Sequence, residues 1–206
     1  MKTVRIYGVA RNLARAPLPI EGQEVWVANN PKSYYDIRLL RFRETHEWTR
    51  WFNLHSTEWM LKTYPKGYAW YAEQTKPIYL RDVDPTIPAS VKFPREALQA
   101  YFGGPQMGSP GRYFTCSICW LLALAIYEGF ERIEFYGLTL KDKPARSHDC
   151  YKFERPCFFY WVKQARDRGI EVKYPKEVQR LPFEPGDPST YSGPLYGFGT
   201  TEPFVE

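Results

Sequence analysis

An α/β fold in three layers, with a mostly parallel sheet flanked by helices, is the class that three observations predict. Short apolar-rich segments with strand character alternate with helical ones, so successive strands are joined by crossovers rather than tight hairpins. The strand segments are brief and close to continuously apolar, as strands covered on both faces are. Polar residues gather just beyond the ends of these segments, where an open parallel sheet keeps its ligands.

Taken in order, residues 3–9 form the first expected strand, followed by a loop rich in Arg and Pro. Residues 24–28 form the second and end at Asn29-Asn30-Pro31. Residues 50–54 (RWFNL) make the third, ending at His55-Ser56, and residues 57–62 have helical character with Ser56 or Thr57 as N-cap. Residues 77–80 give a fourth strand and 82–94, rich in Pro, are expected to be irregular. Pro94 then stands at a helix start, with the helix running to about Phe102. A Gly/Pro-rich loop, 103–111, leads into 113–140 (YFTCSICWLLALAIYEGFERIEFYGLTL). There Thr115, Cys116 and Ser117 open a strongly apolar helix that ends near Gly129, and a strand at 132–136 closes at Gly137. After a polar loop at 141–152 comes a helix from about Glu154 to Arg168, with Gly169 as C-cap, and a last strand at 171–174. Beyond Pro175 the chain is rich in Pro, Gly, Ser and Tyr. Residues 1–175 are therefore expected to be one domain, and 176–206 an irregular tail packed on it.

Composition agrees with a single domain: 206 residues, 44% hydrophobic and 25% charged, rule out wholesale disorder. A net charge of +5 favours anionic ligands, but the basic residues are dispersed and do not by themselves indicate DNA binding. No basic leader precedes an apolar core, and the apolar run 118–126 falls well short of the roughly 20 residues of a membrane span. The expectation is a soluble, cytoplasmic protein with no membrane partner. Four cysteines do not make a disulfide framework, and Cys116 and Cys119, one helical turn apart, are expected to be reduced and to face the core.

Several residues carry candidate chemistry. A helix N-terminus concentrates unpaired N–H groups and positive dipole, so Thr115, Cys116 and Ser117 suit a phosphate cradle; Ser and Thr serve equally as plain helix caps there. Gly8 would let a nucleotide approach the first strand, although GVARN lacks the three spaced glycines of a dinucleotide fingerprint. Asn29 and Asn30 suit a base or ribose, or simply a turn before Pro31. His55 and His148 are the candidate general bases, His148 lying beside Asp149; each also fits an ordinary surface histidine, as His46 does. Cys116, Cys119, His148, Cys150 and Cys157 match no zinc-ribbon or finger spacing, and no metal is expected. Asp82 and Asp84 read either as the Asp-x-Asp pair of a metal-dependent transferase or as a turn. The motifs of serine hydrolases, P-loop kinases and zincins are absent from the sequence. In a parallel sheet Asn29, Asn30, His55, Ser56, Thr139 and residues 115–117 would converge on one edge.

The segment 113–140 resembles one that recurs in a Rossmann-like group: bacterial CMP-sialic-acid-using sialyltransferases, archaeal-type 6-hydroxymethylpterin pyrophosphokinases and many phage proteins. In these a Thr-Ser-Gly or Thr-Ser-Ser cluster opens an apolar helix, and the next strand ends in Gly-Val/Ile-Asp. The phage members are similar in further blocks in the same order: RWFNLHS (50–56), PIYL (77–80), IPASVKFP (87–94), 151–156 and the terminal LYG (195–197). The resemblance implies a Rossmann-like nucleotide-binding domain. It places Thr115, Ser117, Gly8, Asn29 and Asn30 on the nucleotide and makes His148 the base. Edge position adds Arg11, Asn12, Ser56, Cys116, Gly137 and Thr139 to the nucleotide set, with His55 as second catalytic candidate. The chain departs from the family in its first loop, GVARNLARAP, and at Thr139, where the family has Asp.

The function expected from this is a phage-type, metal-independent glycosyltransferase-like enzyme acting in the host cytoplasm. It would use a nucleotide-sugar, with Arg11 or Arg15 and helix N–H groups on the leaving phosphate and no cofactor beyond that ligand. A glycan or a modified DNA base would be the acceptor, with Trp48, Trp51, Trp59 and Trp70 available to stack on a flipped base or to line the core. The alternatives are a non-catalytic protein that sequesters a nucleotide and, third, a pyrophosphotransferase, which would need carboxylates for magnesium. Nucleic acid and a second copy of the chain stay open as partners.

Overall fold

The structure, a computed structural model, describes residues 1–10, 12–13, 16–29, 47–103, 113–140 and 149–179, with 149–152 by backbone alone. Its centre is a sheet of seven strands: β1 (Thr3–Tyr7), β2 (Glu24–Ala28), β3 (Arg50–Asn53), β4 (Ile78–Leu80), β5 (Ser90–Lys92), β6 (Arg132–Tyr136) and β7 (Glu171–Lys173). The order is β5-β4-β3-β2-β1-β6-β7 and every neighbouring pair is parallel. The chain thus steps outward from β1 to β5, crosses back, and continues on the other side of β1. The reversal between β1 and β6 is the topological switch point of a doubly wound, Rossmann-like sheet.

Two cores cover the sheet. Side chains alternate across each strand, so Val4, Ile6, Trp26 and Phe52 face one layer while Tyr7, Val25, Val27 and Trp51 face the other. The first layer holds α3 (Arg95–Phe102), α4 (Ser117–Tyr127) and α5 (Asp149–Arg166). Helix α4 is apolar all round because it is sandwiched: every residue but the last is buried. Phe114 stacks on Trp120 at 3.7 Å, and the Trp161 indole N–H donates to the Tyr113 carbonyl at 2.7 Å, tying α5 to the chain just before α4. The second layer holds α1 (Thr57–Thr63) and α2 (Pro65–Ala72). Trp48, Trp51 and Trp70 pack there edge to face. Together with Trp59 they are buried, so of the two readings given for the four indoles, stacking on a base or lining the core, the structure has the second.

Three expectations need correction. The segment expected to be irregular at 82–94 contains β5, reached by a turn that Asp84 closes; a three-residue edge strand is too short to leave a periodic signature. Helix α2, which lies between the expected elements, starts on Pro65 in the position where Pro costs no hydrogen bond. Helix α5 begins at Asp149, before the expected Glu154, and runs through Pro156. The chain past Pro175 opens with a 3₁₀ turn, Lys176–Gln179, that buries Val178; the rest of the tail lies outside the described residues. Among the described residues no helix is long and apolar enough to cross a membrane.

Candidate functional site

All strands are parallel, so their carboxyl ends share one edge, and the candidate residues sort along it into three groups.

The first is the switch point. The Gly8 N–H donates to the Tyr136 carbonyl at 2.9 Å and the Ala10 N–H to the Gly137 carbonyl at 2.8 Å, so the loops after β1 and β6 are joined backbone to backbone. A Cβ on Gly8 would stand 2.6 Å from the Gly137 oxygen, and one on Gly137 would strike the Gly8 carbonyl. Gly137 also has φ 63, a conformation that side chains resist. Gly8 and Gly137 are therefore glycines because two backbone segments touch.

The second group lies one strand away. Asn29, with φ 74, turns the chain at the end of β2; Asn tolerates this left-handed conformation better than most residues. Its N–H donates to the Phe52 carbonyl at 2.8 Å, while its carbonyl accepts from the Trp51 indole at 2.7 Å and the Tyr71 hydroxyl at 3.2 Å. Held this way, the Asn29 side-chain oxygen accepts from the Ser117 hydroxyl at 3.3 Å. Ser117 is the first residue of α4, so the end of β2 and the helix N-terminus meet. Cys116 is the N-cap and makes no side-chain capping bond, which leaves the first N–H groups without a side-chain acceptor from that residue. Thr115, expected to line the same cradle, is instead fully buried with its hydroxyl against the Cys157 thiol. Burial pushes that thiol up to about 12 despite the Thr115 contact.

The third group borders a cavity of ≈ 260 Å³ beyond β6 and β7, lined by Asn12, Tyr136, Gly137, Lys173, Tyr174 and Glu177 among others. The Asn12 side-chain amide donates to the Leu138 carbonyl at 2.8 Å, fixing the β1 loop over the β6 end. Lys173 and Tyr174 were missed by reading the sequence, though residues following a last parallel strand lie on this edge by topology. The cavity is smaller than the roughly 300 Å³ at which ligand pockets begin.

His55 and Ser56 follow β3. The imidazole lies flat on Trp59, centroids 3.8 Å apart, and its N–H on the backbone donates to the Asn53 side-chain oxygen at 3.2 Å. Ser56 caps α1 by accepting from the Trp59 N–H at 3.1 Å. Thr139 is half-buried in the loop after β6. Arg11, Arg15, Asn30, His46 and His148 lie outside the described residues.

The paired aspartates resolve as a turn. Asp84 accepts from Tyr68 at 2.6 Å, from the Thr86 hydroxyl at 2.7 Å and from the Thr86 N–H at 3.0 Å, whereas Asp82 is exposed beside Lys92. Among the described residues no group of three His, Cys, Asp or Glu is placed to hold a metal ion.

No protein-family model matches the chain, and no curated protein does. Solved structures similar to it include the sialyltransferase CstII from Campylobacter jejuni in complex with the substrate analogue cytidine-5'-monophosphate. The identity there is 16%, covering 84% of this chain and 78% of that chain, with a TM-score of 0.43. CstII in complex with CMP-3FNeuAc is similar at 16% identity, covering 88% of this chain and 89% of that chain, with a TM-score of 0.45.

Proposed function

We propose that this protein binds a nucleotide-sugar at the carboxyl edge of its sheet, across β2 and the start of α4, and transfers the glycosyl group without a metal ion. The observation that carries the reading is the meeting of Ser117 with Asn29, which sets a helix N-terminus beside a polar side chain at a parallel sheet's edge. Phosphate would lie on the first N–H groups of α4 and the Ser117 hydroxyl, with Asn29 free to turn its amide to ribose or base. The acceptor hydroxyl attacks the anomeric carbon and the bond to the leaving phosphate breaks. A histidine, His148 or His55, takes the hydroxyl proton. A glycan or a modified nucleobase would serve as acceptor. Calorimetry against a panel of nucleotides and nucleotide-sugars, with mass spectrometry of the products, tests this; a panel giving neither binding nor hydrolysis overturns it.

A non-catalytic nucleotide binder is the second reading. It is favoured by the departures of the sequence from the resembled pattern in the first loop, GVARNLARAP, and at Thr139. Chemically unchanged nucleotide recovered from purified protein, without turnover of any donor, selects this reading over the first.

A further inference from the structure

The start of α4 carries chemistry that nucleotide binding does not use. Cys116 and Cys119 form a Cys-x-x-Cys sequence at a helix N-terminus, and their sulfurs lie 3.4 Å apart. The Cys119 N–H donates to the Cys116 carbonyl at 3.1 Å, closing a turn that brings the two Cα atoms within the span a disulfide bridges. Small side-chain rotations suffice to shorten the sulfur separation to the about 2 Å of a covalent bond. Of the three cysteine residues packed here, Cys116 keeps 7% exposure and Cys119 and Cys157 none.

We propose that Cys116 and Cys119 are a peroxide-responsive dithiol, Cys116 reacting first and Cys119 resolving it into an intramolecular disulfide. The Cys116 thiolate attacks one oxygen of hydrogen peroxide; the O–O bond breaks, and Cys116 becomes a sulfenic acid as hydroxide leaves. The Cys119 sulfur then attacks the Cys116 sulfur, expelling the sulfenic oxygen as a second hydroxide, and the Cys119 proton neutralises one of the two. Two electrons pass from the thiol pair to the peroxide, and a dithiol reductant reverses the change.

Electrostatics agree with these roles. The Cys119 S–H holds the Cys116 thiol below its ordinary value against the effect of burial. Burial drives Cys119 well above it, so the attacking and resolving thiols are distinct. The proposal does not depend on the nucleotide reading.

Reduced, native protein treated with stoichiometric hydrogen peroxide should lose two hydrogens from its intact mass. Peptide mapping should join Cys116 to Cys119, and dithiothreitol should restore the original mass. Alkylation of the native protein should modify Cys116 at least about tenfold faster than Cys157. In Cys119→Ser the oxidised Cys116 should stop at the sulfenic acid and be trapped by dimedone, while Cys157→Ser should still form the bond. An unchanged mass, a bond involving Cys157 or Cys150, or direct over-oxidation of Cys116 overturns the proposal. The wild-type mapping decides this even where a variant fails to fold.

Discussion

Gly8 and Gly137 hold the centre of the edge because each leaves room for the other's carbonyl at the switch point of the sheet. Gly137→Ala adds a Cβ both to a left-handed backbone and to a backbone clash. We expect it to lower stability by about 1–3 kcal/mol, measured by urea unfolding. Asn29 is a different case, since its backbone conformation and its side chain do separate jobs. Asn29→Gly keeps the left-handed turn and removes only the oxygen that meets Ser117. The expected result is a native-like melting temperature with nucleotide affinity weakened about tenfold by calorimetry, the size of one lost hydrogen bond. Unaltered affinity would place the ligand elsewhere on the edge. From the sequence, Asn29 and Ser117 could each be singled out by residue type and position. Their pairing could not, because 88 residues separate them.

Among the elements, the turn between β4 and β5 shows how a short motif resists reading. Asp82 and Asp84 look alike in sequence, yet only Asp84 is buried and bonded to Tyr68 and Thr86. Burial raises its carboxyl, but those hydroxyls and the Thr86 N–H more than offset this and hold it below the ordinary 3.8. A depressed carboxyl contributes stability that is present above the unfolded value and lost as pH falls through the folded one. Asp84→Ala should therefore cost about 1–3 kcal/mol at neutral pH and less in acid below pH ~3, read from chemical unfolding at both. The long apolar α4 and the strands β2 and β6 follow their sequence signals closely because burial on both sides demands unbroken apolar residues. β5 lacks that demand, its three residues being half-buried or exposed, and local pattern alone does not mark it.

At the scale of the whole molecule, the sheet carries a buried charge network invisible along the chain. Arg5 on β1 pairs with Glu134 on β6 at 3.1 Å and also donates to the Leu18 carbonyl at 2.6 Å. Arg132 binds the other Glu134 oxygen at 2.8 Å, and the Tyr136 hydroxyl donates to Glu134 at 3.0 Å. Burial, then the Glu134 bond, pushes the Tyr136 phenol up to about 12 from 10.0. Because the folded value is raised, the stabilisation is complete below pH 10 and disappears as pH climbs toward 12. Tyr136→Phe should show a shallower loss of stability across that alkaline window in unfolding titrations, and wild-type-like steepness would contradict the assignment.

Alternating strands and helices, a 206-residue length and the apolar stretch at 118–126 were enough to define an α/β sheet with helices on both faces. Those properties are local: periodicity, caps and burial demand are written within a dozen residues of each element. Which strands lie side by side was decided in three dimensions, and with it the contact of Gly8 with Gly137, the meeting of Asn29 with Ser117 and the turning of Thr115 into the core. Contacts between elements far apart in the chain leave no periodic trace, since each partner's sequence is compatible with many neighbours and only packing selects one.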